Sequence, residues 1–283
     1  MQGVYPIAPR YRNIPGHEGV GEVVATGSAV SGLARGDRVV PLSAGLGTWR
    51  TAGVFEAADW LRIDPALPLA DAATLTINPG TALSMLEQFV ALDEGDAVVQ
   101  NGANSAVGEY VIQLAKHRGV RTINMVRDRG DWADVQAHLT GLGADLVATP
   151  EGVREAARSA GLPAPRLALN CVGGESATTQ AKMLAPGGVH VTYGGLSRQP
   201  VTVPTPVLIF RDVSVRGFWI SGSSEAARDV GKKRAMLERL QRLILDGVIA
   251  ARCTELPFGR WREAFQSGVN RRRKTILVMG DEA

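Results

Sequence analysis

The pattern of apolar and polar positions changes character near residue 79. Over residues 18–63, short Val-rich stretches alternate with Gly and Asp turns, as in GVGEVVATGSAVSGLARGDRVVPLSAG, and no helical period appears. Such runs predict an antiparallel meander or small barrel. From Pro79 onward TALSMLEQFVAL has helical spacing, AVVQN reads as a buried strand and SAVGEYVIQLAKHRG as a second helix. The alternation continues with a strand at 121–126, a helix at 132–142, a strand at 145–148, a helix at 152–160 and strands at 166–172, 188–193 and 213–219. Apolar strands separated by helices predict a parallel sheet covered on both faces, because parallel neighbours need long crossovers. Residues 231–246 place Met236, Leu237, Leu240, Leu243 and Ile244 at helical spacing as a core-facing stripe, and a mixed tail ends in the strand-like TILVMG.

A chain of 283 residues exceeds the usual size of one hydrophobic core, so two units are expected. Residues 78–222 read as a Rossmann-like domain, with residues 1–77 and 223–283 forming the other unit. The composition, 45% hydrophobic and 21% charged with 33 glycines, is that of a globular protein rich in tight turns and not of a disordered or fibrous one. Basic residues exceed acidic ones by 31 − 28 = 3, and the cluster Arg271, Arg272, Arg273 and Lys274 is too short to argue for nucleic acid; a solvated face is its plain reading. No apolar run reaches transmembrane length and no signal segment is visible, so neither a membrane nor a secretory route is expected and the location reads as cytoplasmic. The abundance of Ala, Gly and Arg suits a bacterial source. Cys171 and Cys253 form no CxxC or Cys/His cluster, which argues against a disulfide framework and a structural zinc site. Cys171 lies in the apolar run 167–172 and reads as a buried small residue.

The loop QNGANSAVG, residues 100–108, joins a strand to a helix, where backbone N–H groups and the positive helix end meet a dinucleotide pyrophosphate. A strict GxGxxG is missing: Gly102 and Gly108 remain, while Asn104, Ser105 and Ala106 occupy the middle, and an ordinary strand-to-helix turn fits the motif equally. The next strand ends in NMVRDRGD, where Arg127 and Arg129 flank Asp128. Two guanidiniums there suit a ribose phosphate and favour NADPH, since an NAD site wants a lone carboxylate; the alternative is a solvated turn with an internal Arg/Asp pair. Tyr193, Gly194, Gly195 and Leu196, and then Phe218, Trp219 and Ile220, follow two further strand ends, the edge at which open parallel sheets bind ligands. Tyr and Trp serve as often in packing. Gly16, His17 and Glu18 open a segment similar to that of zinc alcohol dehydrogenases, in which the His binds catalytic zinc. Zinc needs about three protein ligands and no Cys stands in a recognisable pattern with His17, so His17 reads as a turn residue and no metal is expected.

The segments QGVYP, GLGTWRT, NPGTA, QNGANSAVG, RTINMVRDR, RLALNCVGG, VTYGG and LIFRDVSVRGFWIS occur in this order. Together they resemble the zinc-free medium-chain dehydrogenase/reductase superfamily and, within it, the mitochondrial-type trans-2-enoyl thioester reductases acting on acyl-CoA or acyl carrier protein. The resemblance implies an α/β fold in which a Rossmann-like doubly wound parallel sheet is joined to a GroES-like β-barrel domain. It implies NADPH-dependent reduction of the 2,3 double bond of enoyl-CoA or enoyl-acyl carrier protein in fatty acid synthesis, and a homodimer. It matches Tyr5 to the catalytic tyrosine. It also implies cofactor contacts from Asn78, Asn104, Ser105, Ala106, Val107, Arg127, Asp128, Arg129, Tyr193, Gly194, Gly195, Leu196, Phe218, Trp219, Ile220 and Lys274. Family members carry further strands before QGVY, so the barrel is expected to be N-terminally truncated, and no transit peptide is visible although a missing N-terminus would remove one. Two rivals remain: a zinc-free NADPH quinone or alkenal reductase, and an inactive nucleotide-binding or regulatory protein.

Overall fold

The first sheet is built around two apolar positions that face each other across antiparallel strands. In this computed structural model, which describes residues 14–268 and 274–280, β1 (Gly21–Glu22), β2 (Arg38–Pro41) and β3 (Trp60–Arg62) lie side by side in that order. Val40 and its cross-strand partner Leu61 are 0% and 2% exposed, so this pair anchors the sheet. The meander expected at 18–63 is present, although Tyr5 and Arg271, Arg272 and Arg273 lie outside the described residues. Two helices follow, α1 (Leu69–Thr74) and α2 (Asn78–Gln88). Asp71 in α1 is buried and accepts the backbone N–H of Ala251 at 2.6 Å, and burial pushes its carboxyl above the usual range.

Next comes the alternation anticipated from the apolar runs: β4 (Ala97–Asn101), α3 (Ala106–His117), β5 (Arg121–Met125), α4 (Trp132–Leu142), β6 (Leu146–Ala148), α5 (Val153–Ser159), β7 (Leu167–Asn170), α6 (Gly174–Met183), β8 (Val189–Thr192), α7 (Thr205–Arg211) and β9 (Ser214–Gly217). The six strands form one parallel sheet in the order β6-β5-β4-β7-β8-β9. Side chains alternate between its faces. Val99, Ile123, Met125 and Ala168 pack with Val153 and Ala157 of α5, Ala181 of α6 and Val207 of α7. A second cluster joins Val147 of β6 to Ile112 of α3 and Leu139 of α4. Both faces are therefore covered, as a doubly wound parallel sheet requires. Helix α6 gave no sequence signal because Ala177, Thr178, Gln180 and Ala181, small or polar residues, form its buried side.

The chain ends with α8 (Glu225–Arg228), α9 (Val230–Leu245), β10 (Cys253–Pro257), α10 (Trp261–Gly268) and β11 (Lys274–Val278). Leu237, Leu240 and Ile244 are buried on α9, as the helical spacing predicts. Asp229 caps that helix, accepting from Gly231 and Lys232 N–H at 2.8 and 3.1 Å. β10 and β11 pair in parallel with Cys253 opposite Lys274. The chain divides into two compact units, Met1–Gly80 with Glu225–Ala283, and Thr81–Ser224. Among the described residues no helix is long and apolar enough to cross a membrane.

One core residue makes a pH prediction. His190 in β8 is 0% exposed, and neither ring nitrogen makes a well-formed hydrogen bond among the described residues. Burial lowers its pKa below 6.5, so the unfolded chain binds this proton more readily. The stability that His190 contributes is complete above 6.5 and is lost as pH falls toward the folded-state value. Between about pH 7.5 and about pH 5.5 the parent should lose more stability than His190→Leu in urea unfolding. Equal losses in both would show that His190 is not the group responsible.

Candidate cofactor site

β4 leaves the sheet at Asn101, and Gly102 turns the chain at φ +59. A Cβ at that position would stand 2.6 Å from the Cys171 Sγ, so the backbone passes this close only because residue 102 is glycine. The Gly102 carbonyl accepts Ser105 N–H at 2.8 Å, and Ser105 then caps α3, its hydroxyl accepting Gly108 N–H at 3.2 Å. A side chain at Gly108 would overlap the backbone of Ala103. Gln100, buried beneath the loop, donates from Nε2 to the Gly108 carbonyl at 3.0 Å and to Asn124 Oδ1 at 2.8 Å. Asn104, Ser105, Ala106 and Val107 remain partly exposed at the N-terminus of the twelve-residue α3. The first-turn N–H groups and the positive end of the helix make this an anion cradle, and its closely fitted glycines suit a pyrophosphate.

The loop lies beside the end of β5, with Ala103 N–H donating to the Met125 carbonyl at 3.4 Å. Just beyond, Arg127, Asp128 and Arg129 are all exposed. Asp128 is engaged by its own turn, accepting Gly130 N–H at 2.8 Å. Among the described residues neither Arg127 nor Arg129 forms an ion pair, which leaves two guanidiniums at the site expected for a ribose phosphate.

On the other side of β4, the loop after β8 is held by backbone bonds from Tyr193 N–H to the Asn170 carbonyl and Leu196 N–H to the Cys171 carbonyl, each 2.9 Å. Gly194 is closely fitted, since a Cβ would lie 3.1 Å from that of Cys171. Gly195 and Leu196 are exposed. Among the described residues the buried Tyr193 hydroxyl has no well-formed hydrogen bond, and burial, reinforced by the neighbouring Cys171 thiol and opposed by Ser105, pushes the phenol well above its usual range. The Cys171 thiol is also buried and raised by desolvation, which makes it an inert packing group. Phe218 and Ile220 prove to be core residues, Phe218 meeting Phe89 edge to face at 6.0 Å, so Trp219 is the partly open member of that trio.

Asn78 opens α2 and is partly exposed. The preceding residue, Ile77, donates its N–H to Glu18 Oε1 at 2.9 Å, and the second oxygen of Glu18 forms an ion pair with Lys274 Nζ. Glu18 thus gathers two segments implicated separately. Desolvation raises its pKa, and Lys274 foremost and then the Ile77 and Thr76 N–H groups oppose that shift. Nothing in the sequence marked Glu18 for this task except its place in a glycine-rich turn. Among the described residues no group of three or more His, Cys, Asp or Glu side chains comes together as metal ligands, and His17 is held below its ordinary pKa by burial.

Comparison with known proteins agrees with this geometry. Residues 1–62 match the alcohol dehydrogenase GroES-like domain and residues 106–234 the family described as zinc-binding dehydrogenase. The mouse mitochondrial enoyl-[acyl-carrier-protein] reductase is 44% identical over 285 residues, spanning 99% of this chain and 76% of the mouse protein. The mitochondrial 2-enoyl thioester reductase Etr1p/Etr2p heterodimer of Candida tropicalis superposes with a TM-score of 0.83 at 31% identity, covering 95% of this chain and 84% of that one. A complex of Etr1p with NADP and crotonyl-CoA gives 0.85 at 32% identity with the same coverage. The same comparison corrects the cytoplasmic, bacterial expectation: the mouse, Arabidopsis thaliana and human relatives are mitochondrial proteins of eukaryotes, a destination that composition does not encode. With the six-stranded parallel sheet, the glycine cradle and these matches in agreement, the chain belongs to the family of mitochondrial enoyl-[acyl-carrier-protein] reductases.

Proposed function

We propose that the chain is an NADPH-dependent reductase of the 2,3 double bond of trans-2-enoyl thioesters, carried by CoA or acyl carrier protein, in fatty acid synthesis. The observation that carries this reading is the match to the mouse enoyl-[acyl-carrier-protein] reductase over 99% of the chain, and the glycine cradle at 102–108 supports it. Residues 78–222 act as the cofactor unit, and residues 1–77 with 223–283 as the substrate unit. Asn104, Ser105, Ala106 and Val107 hold the pyrophosphate, Arg127 and Arg129 the ribose phosphate with Asp128 setting their turn, and residues 193–196, Trp219, Asn78 and Lys274 the remainder.

Bound NADPH supplies a hydride to the β-carbon of the conjugated alkene. Negative charge then develops on the thioester oxygen and the α-carbon. Tyr5 supports that charge with its hydroxyl or gives the proton to the α-carbon; a phenol of pKa about 10 is protonated at neutral pH as either role requires. A homodimer is the assembly we favour. β9 lies at the edge of the sheet, and beside it Ile209 and Phe210 of α7 are 65% and 79% exposed, an apolar surface suited to a second copy.

The reading is tested by following NADPH oxidation with crotonyl-CoA, longer enoyl-CoAs and quinones; turnover of quinones alone would refute it. In the same assay Arg127→Ala/Arg129→Ala should raise the NADPH KM about tenfold or more, with the NADH KM changing less than about twofold. An equal rise for both cofactors would remove the two arginines from the phosphate site.

A further inference from the structure

We infer that Asn170, acting with Asn101, is the positioning hub that sets the pyrophosphate loop and the 193–196 loop at a working separation. Both side chains are fully buried, 0% and 1% exposed, at the ends of adjacent strands. Asn101 Nδ2 donates to Asn170 Oδ1 at 2.8 Å and to Ser176 Oγ at 3.0 Å, while Asn101 Oδ1 accepts Cys171 N–H at 2.8 Å. Asn170 Oδ1 also accepts Val172 and Gly173 N–H at 3.1 and 2.9 Å, and Asn170 Nδ2 donates to Thr192 Oγ1 at 3.1 Å.

The location gives these bonds their meaning. Asn101 directly precedes Gly102, the first residue of the cradle, and Thr192 directly precedes Tyr193. The turn between them, residues 171–173, carries the carbonyls that hold the second loop: Cys171 accepts from Leu196 N–H and Val172 from Ser197 N–H, each at 2.9 Å. Two amides therefore connect the first loop, the turn and the second loop without passing through solvent. Apolar residues of similar size at both positions would leave three backbone N–H groups without these acceptors, two from Asn170 and one from Asn101, so the pair has no cheap substitute. Sequence reading passed over both residues because an Asn at a strand end is also an ordinary turn former.

The inference rests on the reading of both loops as NADPH contacts, and the test separates the two. Asn101→Asp keeps the acceptor for Cys171 N–H. Protonated, its hydroxyl can donate to Asn170 Oδ1 as the amide does; ionised, it opposes that oxygen. Turning the Asn170 amide over would restore that bond only by presenting its NH₂ to Val172 and Gly173 N–H. Fluorescence titration should therefore show an NADPH Kd within about threefold of the parent's near pH 6, rising to about tenfold or more near pH 8.5, with kcat for crotonyl-CoA changed less than about twofold. Thr192→Val, which only removes the acceptor of Asn170 Nδ2, should raise Kd about threefold at both pH values and decides the matter if the first variant does not fold. A variant Kd equal to the parent's near pH 8.5 for Asn101→Asp, or at both pH values for Thr192→Val, overturns the hub. A parent that binds no NADPH overturns the cofactor reading and the hub with it; one that binds NADPH without reducing crotonyl-CoA refutes the enzyme reading and leaves the Kd comparison intact.

Discussion

Replacing Tyr5 by Phe is expected to lower the turnover of crotonyl-CoA about 10²- to 10³-fold while the NADPH KM stays within about twofold. The substitution removes one hydroxyl and keeps the ring, so it subtracts a hydrogen bond without opening a cavity. In the proposed mechanism the bond from this hydroxyl strengthens as charge moves onto the thioester oxygen. Interactions stronger in the transition state than in the ground state appear in kcat, which is why the loss falls on turnover and not on cofactor binding. Equal turnover in variant and parent would end the assignment of Tyr5 and leave the cofactor loops untouched. Single-turnover mixing would distinguish a slowed chemical step from slowed product release.

The second large effect concerns stability. Glu18 is 11% exposed and Lys274 31% exposed, so the carboxylate is the more deeply committed partner of their ion pair. Lys274→Met leaves that carboxylate with Ile77 N–H but without a cation. Removing one partner of a buried pair costs about 3–5 kcal/mol, and the partial exposure of Lys274 reduces the expectation here to about 2–3 kcal/mol. Glu18→Gln should cost about 1 kcal/mol, since the amide still accepts from Ile77 and the lysine can reach solvent. The double variant Glu18→Gln/Lys274→Met should recover part of the larger loss. Urea unfolding of the four proteins gives these numbers, and additive losses would show that the pair is not coupled. The same variants examine the proposed cofactor role of Lys274, because a direct contact predicts a raised NADPH KM in Lys274→Met and not in Glu18→Gln.

How far the sequence could be read depended on how local each signal was. The strands of the large sheet are buried on both faces and appear as apolar runs such as AVVQN, so their places and the helices between them could be read directly. β10, with Thr254 and Glu255 at its centre, has no such run and becomes a strand only by pairing with β11. Helix α10 was likewise hidden in the tail. The cradle could be found from its place between a strand and a helix, whereas Tyr5, Asn78 and Lys274 were reachable only through resemblance, each being ordinary in its local setting.

The sequence by itself therefore determined the alternation of strands and helices, the glycine-lined turn at the head of α3 and the paired arginines after β5, because each depends on residues within a few positions of one another. Tertiary structure decided what those pieces hold. Asn101 meets Asn170 across 69 residues, and Glu18 meets Lys274 across 256. The first contact exists because the sheet order sets β7 beside β4, the second because the turn at Glu18 meets the start of β11, and a buried amide or carboxylate acquires its function from the partner that folding supplies.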